Sequence, residues 1–200
     1  MGDVTENISD GDVGTPGGAS KNPDSSRMGK AAEHLVAATC IIGSRARLNV
    51  SMALVDDEGI DLVFHKRDGV STLAVQVKAR MNDSAPLNRC GFTANVRSET
   101  MKPRRDLFLL FVAVDVRLAA IELCWLVPSE EFVSQATRDS HRRYRFAASM
   151  KPGAKDKWRK YRLTSYELPP EILRSIDWVD GQRLRMMAML ASDVPQTNPL

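Results

Sequence analysis

The sequence predicts an α/β domain with a mixed central β-sheet flanked by helices. Three observations predict it. The stretch MGKAAEHLVAATCII has apolar residues at 28, 31, 32, 35, 36 and 42, which is helical spacing. Segments of period-two alternation follow, separated by turn signals. A continuous apolar run, within RRDLFLLFVAVDVR, then has the pattern of a strand buried on both faces. A helix, several strands and further helices in this order describe layers packed on one sheet.

The elements follow in order. Residues 1–27 are rich in Gly, Ser, Asp, Asn and Pro, with almost no large apolar side chains, so they read as a disordered acidic tail. Met28 opens the folded part, expected over 28–192, and Gly43 is the natural stop of its first helix. Strands are expected at about 46–54, 60–67 and 72–80, with Asp57-Glu58-Gly59 and Arg67-Asp68-Gly69 as the turns between them. Residues 81–104 are polar and irregular, with a short strand near Phe92 to Val96. The run Leu107 to Val114 and the segment IELCWLVP should pair as a hairpin. Pro128-Ser129-Glu130-Glu131 opens a helix with Phe132 and Val133 inward. Pro169-Pro170 precedes a short helix, Gly181 to Ala191 forms a last one, and 193–200 is a polar tail.

Composition narrows the classes. Of 200 residues, 43% are hydrophobic and 26% charged, ordinary for a globular chain. The run Leu107 to Val114 is far shorter than the roughly 20 residues a bilayer requires, and the acidic N-terminus does not resemble a signal peptide. No membrane partner is expected. Cys40, Cys90 and Cys124 are widely spaced, no CxxC occurs and the histidines are scattered. This argues against a disulfide framework or a zinc site and for a reducing, cytoplasmic setting. Net charge is +3; residues 1–27 carry −3, so the remainder carries +6, a balance that suits a nucleic-acid partner.

The chemistry-bearing residues lie in LAVQVKAR. Leu73, Val75, Val77 and Ala79 form one face, so Gln76 and Lys78 share the other, about 7 Å apart. Fourteen residues separate Asp61, in GIDLVFHK, from Gln76. One strand, a tight turn and the start of an antiparallel strand fill that interval, which brings Asp61 level with Gln76 and Lys78. Glu33 lies on the first helix beside the small residues Gly29, Ala37 and Cys40, at the seam of the apolar stripe. Carboxylates and an amide oxygen are hard ligands suited to Mg²⁺ or Mn²⁺. A lysine beside them can orient the attacking water or stabilise charge developing on a phosphate. Taken singly, Asp61 also suits a residue that fixes a turn, Lys78 a snorkelling edge lysine and Glu33 a surface helix glutamate.

In this order, with "GKAAE" on the helix, Asp61 on one strand and Gln76-Val77-Lys78 on the next, residues 28–126 resemble the PD-(D/E)xK nuclease superfamily. The resemblance implies a restriction-endonuclease-like fold. It implies that Asp61 is the central metal ligand, that Gln76 and the Val77 carbonyl complete the ligand set, and that Glu33 contacts a metal-bound water. Lys78 would orient the nucleophile. Ile60 replaces the proline that often precedes the Asp, and Gln76 replaces the usual acid, removing one negative charge from the site.

Residues 138–162 hold ten Lys or Arg against Asp139 and Asp156, a local net of +8, with Tyr144, Phe146, Trp158 and Tyr161 interleaved. Arg142, Arg143, Arg145, Lys157, Arg159 and Lys160 are the candidate nucleic-acid contacts, their aromatic neighbours either stacking on bases or packing beneath. The expected function is Mg²⁺- or Mn²⁺-dependent endonucleolytic cleavage, of DNA rather than RNA, with a homodimer as a possible assembly. The alternative is a catalytically degenerate nucleic-acid-binding or protein-interaction domain of the same fold.

Overall fold

A computed structural model describes residues 23–53, 59–84, 87 and 91–192. The chain runs α1 (Pro23–Gly43), β1 (Leu48–Met52), β2 (Leu62–Lys66), β3 (Thr72–Met81), β4 (Gly91–Arg97), β5 (Leu107–Asp115) and β6 (Ala120–Pro128). It continues with α2 (Ser129–Gln135), β7 (Thr137–Arg138), β8 (Arg143–Ser149), a 3₁₀ turn at Arg159–Tyr161, β9 (Arg162–Leu163) and α3 (Leu168–Ser192). The main sheet has six strands in the order β1-β2-β3-β5-β6-β9. The β3/β5 pair is parallel and the others antiparallel, so the sheet is mixed, as expected.

Both faces of this sheet are covered. On one, Ala32, Val36 and Cys40 of α1 and Leu168, Ile172 and Ile176 of α3 pack against Leu62, Phe64, Val75, Val77, Leu110 and Val112. On the other, Leu109, Phe111 and Trp125 meet Phe92, Phe132, Phe146 and Trp158. The second layer is a separate three-stranded sheet, β4-β8-β7, with α2 beside it. Strand β5 lies between the two cores, which is why eight of its nine positions are buried and its sequence shows no alternation.

Several boundaries differ from expectation. The tail expected to end at residue 27 already contributes Pro23 to Arg27 to α1; proline suits a first helical turn and Asp24 faces the positive end of the helix dipole. Residues 1–22 and 193–200 lie outside the described residues, as do Asp57 and Glu58 of the first expected turn. The first strand starts at Leu48 because Arg45 and Ala46 take left-handed φ values of 52° and 58° on leaving α1. The two helices expected after residue 169 are one: both prolines sit in the first turn of α3, where their missing N–H groups cost nothing, and Gly181 weakens a helix without breaking it. The second sheet was not expected; β8 lies within the basic segment, whose charges hide its alternation.

Candidate active site

The β2–β3 hairpin turns at Asp68, with a left-handed φ of 62°, and Gly69 N–H bonds the Lys66 carbonyl at 3.1 Å. Its register pairs Leu62 with Val75, so Asp61 lies just past the end of β2, level with Gln76. The Asp61 N–H donates to the Val75 carbonyl at 3.0 Å, and its carboxylate Oδ2 accepts the Val77 N–H at 2.7 Å. A carboxylate thus takes the place that the next β2 residue would fill in a continued ladder, and β2 and β3 part here. In an extended strand the N–H and C=O of one residue point to the same side, so the Val77 carbonyl faces this same opening. Asp61 is only 6% exposed.

Val75 and Val77 belong to the helical side of the sheet, and Ala74 to the other. Gln76, Lys78 and Arg80 therefore point toward the second sheet. There they line a cleft of about 220 Å³ together with Gly59, Asn95, Arg97 and Thr100. Gln76 is 6% exposed, and its Oε1 is buried with no hydrogen-bond partner among the described residues. Such an acceptor costs on the order of 1–3 kcal/mol unless something fills its lone pairs. Gly59, with φ of 70°, closes on the same amide: a Cβ there would stand 2.7 Å from Gln76 Nε2. Arg80 Nε donates to the Thr93 carbonyl at 3.1 Å, tying β3 to β4; burial pulls the guanidinium below its ordinary pKa, yet it stays charged.

Asp61 is not among the residues that line this cleft, and neither is Glu33. Glu33 is buried at 7% exposure on α1, in the layer across the sheet, and accepts a hydrogen bond from Lys30 Nζ at 2.8 Å.

The basic segment is divided by the fold. Arg143 and Arg145 lie on β8, around a second hollow shared with Arg80 and Asn95, and Arg142 occupies the preceding turn with φ of 55°. Asp139 accepts the Arg143 N–H at 2.8 Å and its Nε at 2.8 Å; the Arg143 N–H first, then its guanidinium, holds this carboxyl below the usual range. Lys157 instead donates to the Gln135 carbonyl, and Lys160 pairs with Glu131 at 3.5 Å. Arg159 is exposed in the 3₁₀ turn between them. Tyr144, Phe146 and Trp158 are buried, so these aromatics pack beneath the charges rather than offering faces to bases.

The donor set suits a hard cation. Among the described residues no three His, Cys, Asp or Glu side chains cluster. One carboxylate, the Gln76 amide oxygen and a main-chain carbonyl would leave about half of an octahedral shell to water, as Mg²⁺ commonly does. Residues that sequence reasoning missed are Gly59, Arg80, Asn95, Arg97 and Thr100. Arg80 alone carried a signal, since it continues the Gln76–Lys78 face by two residues.

The arrangement is a mixed α/β sheet with α1 and α3 on one face, the second sheet and α2 on the other, and a polar cleft between β3 and β4. The fold is similar to the solved structure of a bacterial homing endonuclease, I-Ssp6803I, with a TM-score of 0.50 and 17% identity over 78% of this chain and 97% of that one. At that identity the likeness is one of fold. No protein-family model and no curated protein sequence matches the chain. No helix among the described residues is long and apolar enough to cross a membrane.

Proposed function

We propose that the chain is a metal-dependent endonuclease of the QxK type that hydrolyses phosphodiester bonds in DNA, in a reducing intracellular compartment. One observation carries the reading: Gln76, whose oxygen has no partner among the described residues, lines a cleft with Lys78, and the strand register sets Asp61 level with it. Asp61, Gln76 Oε1 and the Val77 carbonyl would hold Mg²⁺ or Mn²⁺. Bound there, the cation would supply Lewis-acid stabilisation to the phosphate and acidify water.

The protein's own residues do the remainder. The Val77 N–H fixes the Asp61 carboxylate in one rotamer, so no reorganisation is needed when the substrate arrives. Lys78 orients the attacking water and faces the charge that develops on phosphorus oxygens. Arg80 and Arg97, at the rim of the cleft, hold the anionic backbone in place. Glu33, in the layer across the sheet and bonded to Lys30, has no part in this step. Two copies related by a twofold axis would present one such site to each strand of a duplex.

A second reading, binding without cleavage, is favoured by the neutral amide at position 76. One experiment separates the two. Supercoiled plasmid and labelled duplex are incubated with Mg²⁺ or Mn²⁺, with and without chelator. Lys78→Ala should lower cleavage by about two to four orders of magnitude while duplex binding changes little. Asp61→Asn should abolish it, and Gln76→Glu should lower the Mg²⁺ concentration required. Cleavage that persists in chelator, or that survives both Lys78→Ala and Asp61→Asn, overturns the assignment. Retained duplex binding with no cleavage in either metal establishes the second reading.

A further inference from the structure

We propose that the outward face of the β4-β8-β7 sheet is a base-reading surface that enters the major groove of duplex DNA, with Asn95 and Arg145 contacting base edges. The inference rests on the DNA reading of the neighbouring cleft and adds what determines sequence preference there.

The inward residues of this sheet, Phe92, Ala94 and Val96 on β4 and Tyr144, Phe146 and Ala148 on β8, are buried against the main sheet. The residues between them face outward. Register places Asn95 opposite Arg145 and Arg97 opposite Arg143, with Thr137 of β7 beyond Arg145. Asn95, Arg97, Thr137 and Arg145 are exposed. The outward positions of β4 and β8 are Thr93, Asn95, Arg97, Arg143, Arg145, Ala147 and Ser149, without one carboxylate. Asp139, from the turn before β8, is the one carboxylate among the residues lining the hollow on this face, and the Arg143 N–H and guanidinium engage it.

The residue types match the groove. Arginine reaches guanine O6 and N7 with two donors, and asparagine pairs with adenine N6 and N7. Asn95 is uncharged and adds nothing to phosphate attraction, so its place between arginines suits a base edge. Arg97 and Arg143, opposite one another, suit the flanking backbone, and Asp139 fixes the Arg143 guanidinium for that contact. Strands stand about 4.8 Å apart, so three of them span about 10 Å, close to the width of the major groove.

The position matches too. A hollow of about 290 Å³ on this face shares Arg80, Ala94 and Asn95 with the cleft that holds Gln76 and Lys78. A duplex seated in one therefore continues over the other. Beneath the ribbon, Phe146 stacks on Phe111 at 3.7 Å and 10°, which gives the reading face a fixed platform.

The test is selection from a duplex library with a randomised centre, using the full chain carrying Lys78→Ala so that bound duplex is recovered uncut. The expected result is an enriched sequence. Adding Asn95→Ala or Arg145→Lys should relax the preference at one or two adjacent positions. Each should weaken binding of the enriched duplex by roughly 5- to 150-fold and of a scrambled duplex by less than about threefold. Arg145→Lys keeps the charge and loses only the two-pronged geometry, and thermal melting of each variant establishes that it is folded. Duplex binding without enrichment, equal losses on enriched and scrambled duplex, or full selectivity in Arg145→Lys overturns the proposal. Absence of cleavage by the unsubstituted chain, with enrichment retained, overturns the nuclease reading instead.

Discussion

Gly59 is the residue on which the shape of the cleft depends. Its φ of 70° is costly for any side chain, and a Cβ would displace the Gln76 amide. Gly59→Ala should therefore cost on the order of 1–2 kcal/mol and also lower cleavage as much as Gln76→Ala does; wild-type turnover in a destabilised Gly59→Ala protein would show that the Gln76 position is immaterial. The buried thiols give a prediction of opposite kind. Burial pushes Cys40 up to about 12 and raises Cys124 as well, so both are neutral at pH 8, with about one Cys40 thiolate in ten thousand. Thiol reagents should reach Cys40 and Cys124 only on unfolding, which mass mapping after native and denatured labelling checks. The faces of Gln76 and Lys78 and the level of Asp61 were legible in the sequence because period-two alternation fixes a face and hairpin length fixes a level. Glu33 was placed on its helix, but a helical wheel does not say which layer that helix joins, and the structure puts it across the sheet from the cleft. Gly59 and Asn95 were illegible because the cleft they share with Arg80 exists only where β3 meets β4, a contact no local pattern encodes.

Strand β8 ties the second layer to the first. Phe146 is fully buried, stacked on Phe111 and within 5.1 Å of the Trp158 ring centroid. Removing its ring leaves a void that four other aromatic rings cannot close. Phe146→Ala should destabilise the chain by about 3–5 kcal/mol and Phe146→Leu by much less. Denaturant midpoints measure this, and hydrogen exchange should show β4 and β8 losing protection before β3 and β5. Equal protection throughout would mean that the two sheets unfold as one. The sequence announced β5 and its hairpin with β6 plainly, since an unbroken apolar run has few other structures available. It concealed β8: in RYRFAAS the buried Tyr144, Phe146 and Ala148 alternate with two arginines, and the charge draws attention first. It also suggested a break in α3 at Gly181, where the intact helix hydrogen-bond ladder outweighs a penalty of about 1 kcal/mol.

At the scale of the whole molecule, the charge of residues 138–162 is not one patch. Linear sequence gives a local +8, but the fold sends Arg143 and Arg145 to the outer face of the small sheet, beside Arg80 and Arg97. Lys157 and Lys160 go to the edge formed by α2, where the Gln135 carbonyl and Glu131 engage them. The Tyr161 hydroxyl, Gln135 and Lys160 hold the Glu131 carboxyl below its ordinary range, so it is fully charged at neutral pH and opposes phosphate there. The two groups should then differ in how they respond to salt. Each phosphate contact contributes about 0.9 to the slope of log affinity against log salt on duplex DNA. Arg97→Ala with Arg143→Ala should reduce that slope by about 1.8, whereas Lys157→Ala with Lys160→Ala should leave it within about 0.3 of the parent. Titrations of one duplex from 50 to 200 mM salt measure both, a range estimated to change affinity by several orders of magnitude for proteins with many phosphate contacts. A slope that falls equally in both double variants would mean that the duplex wraps the α2 edge as well. The DNA path would then cross the molecule rather than follow the groove from Lys78 to Arg143.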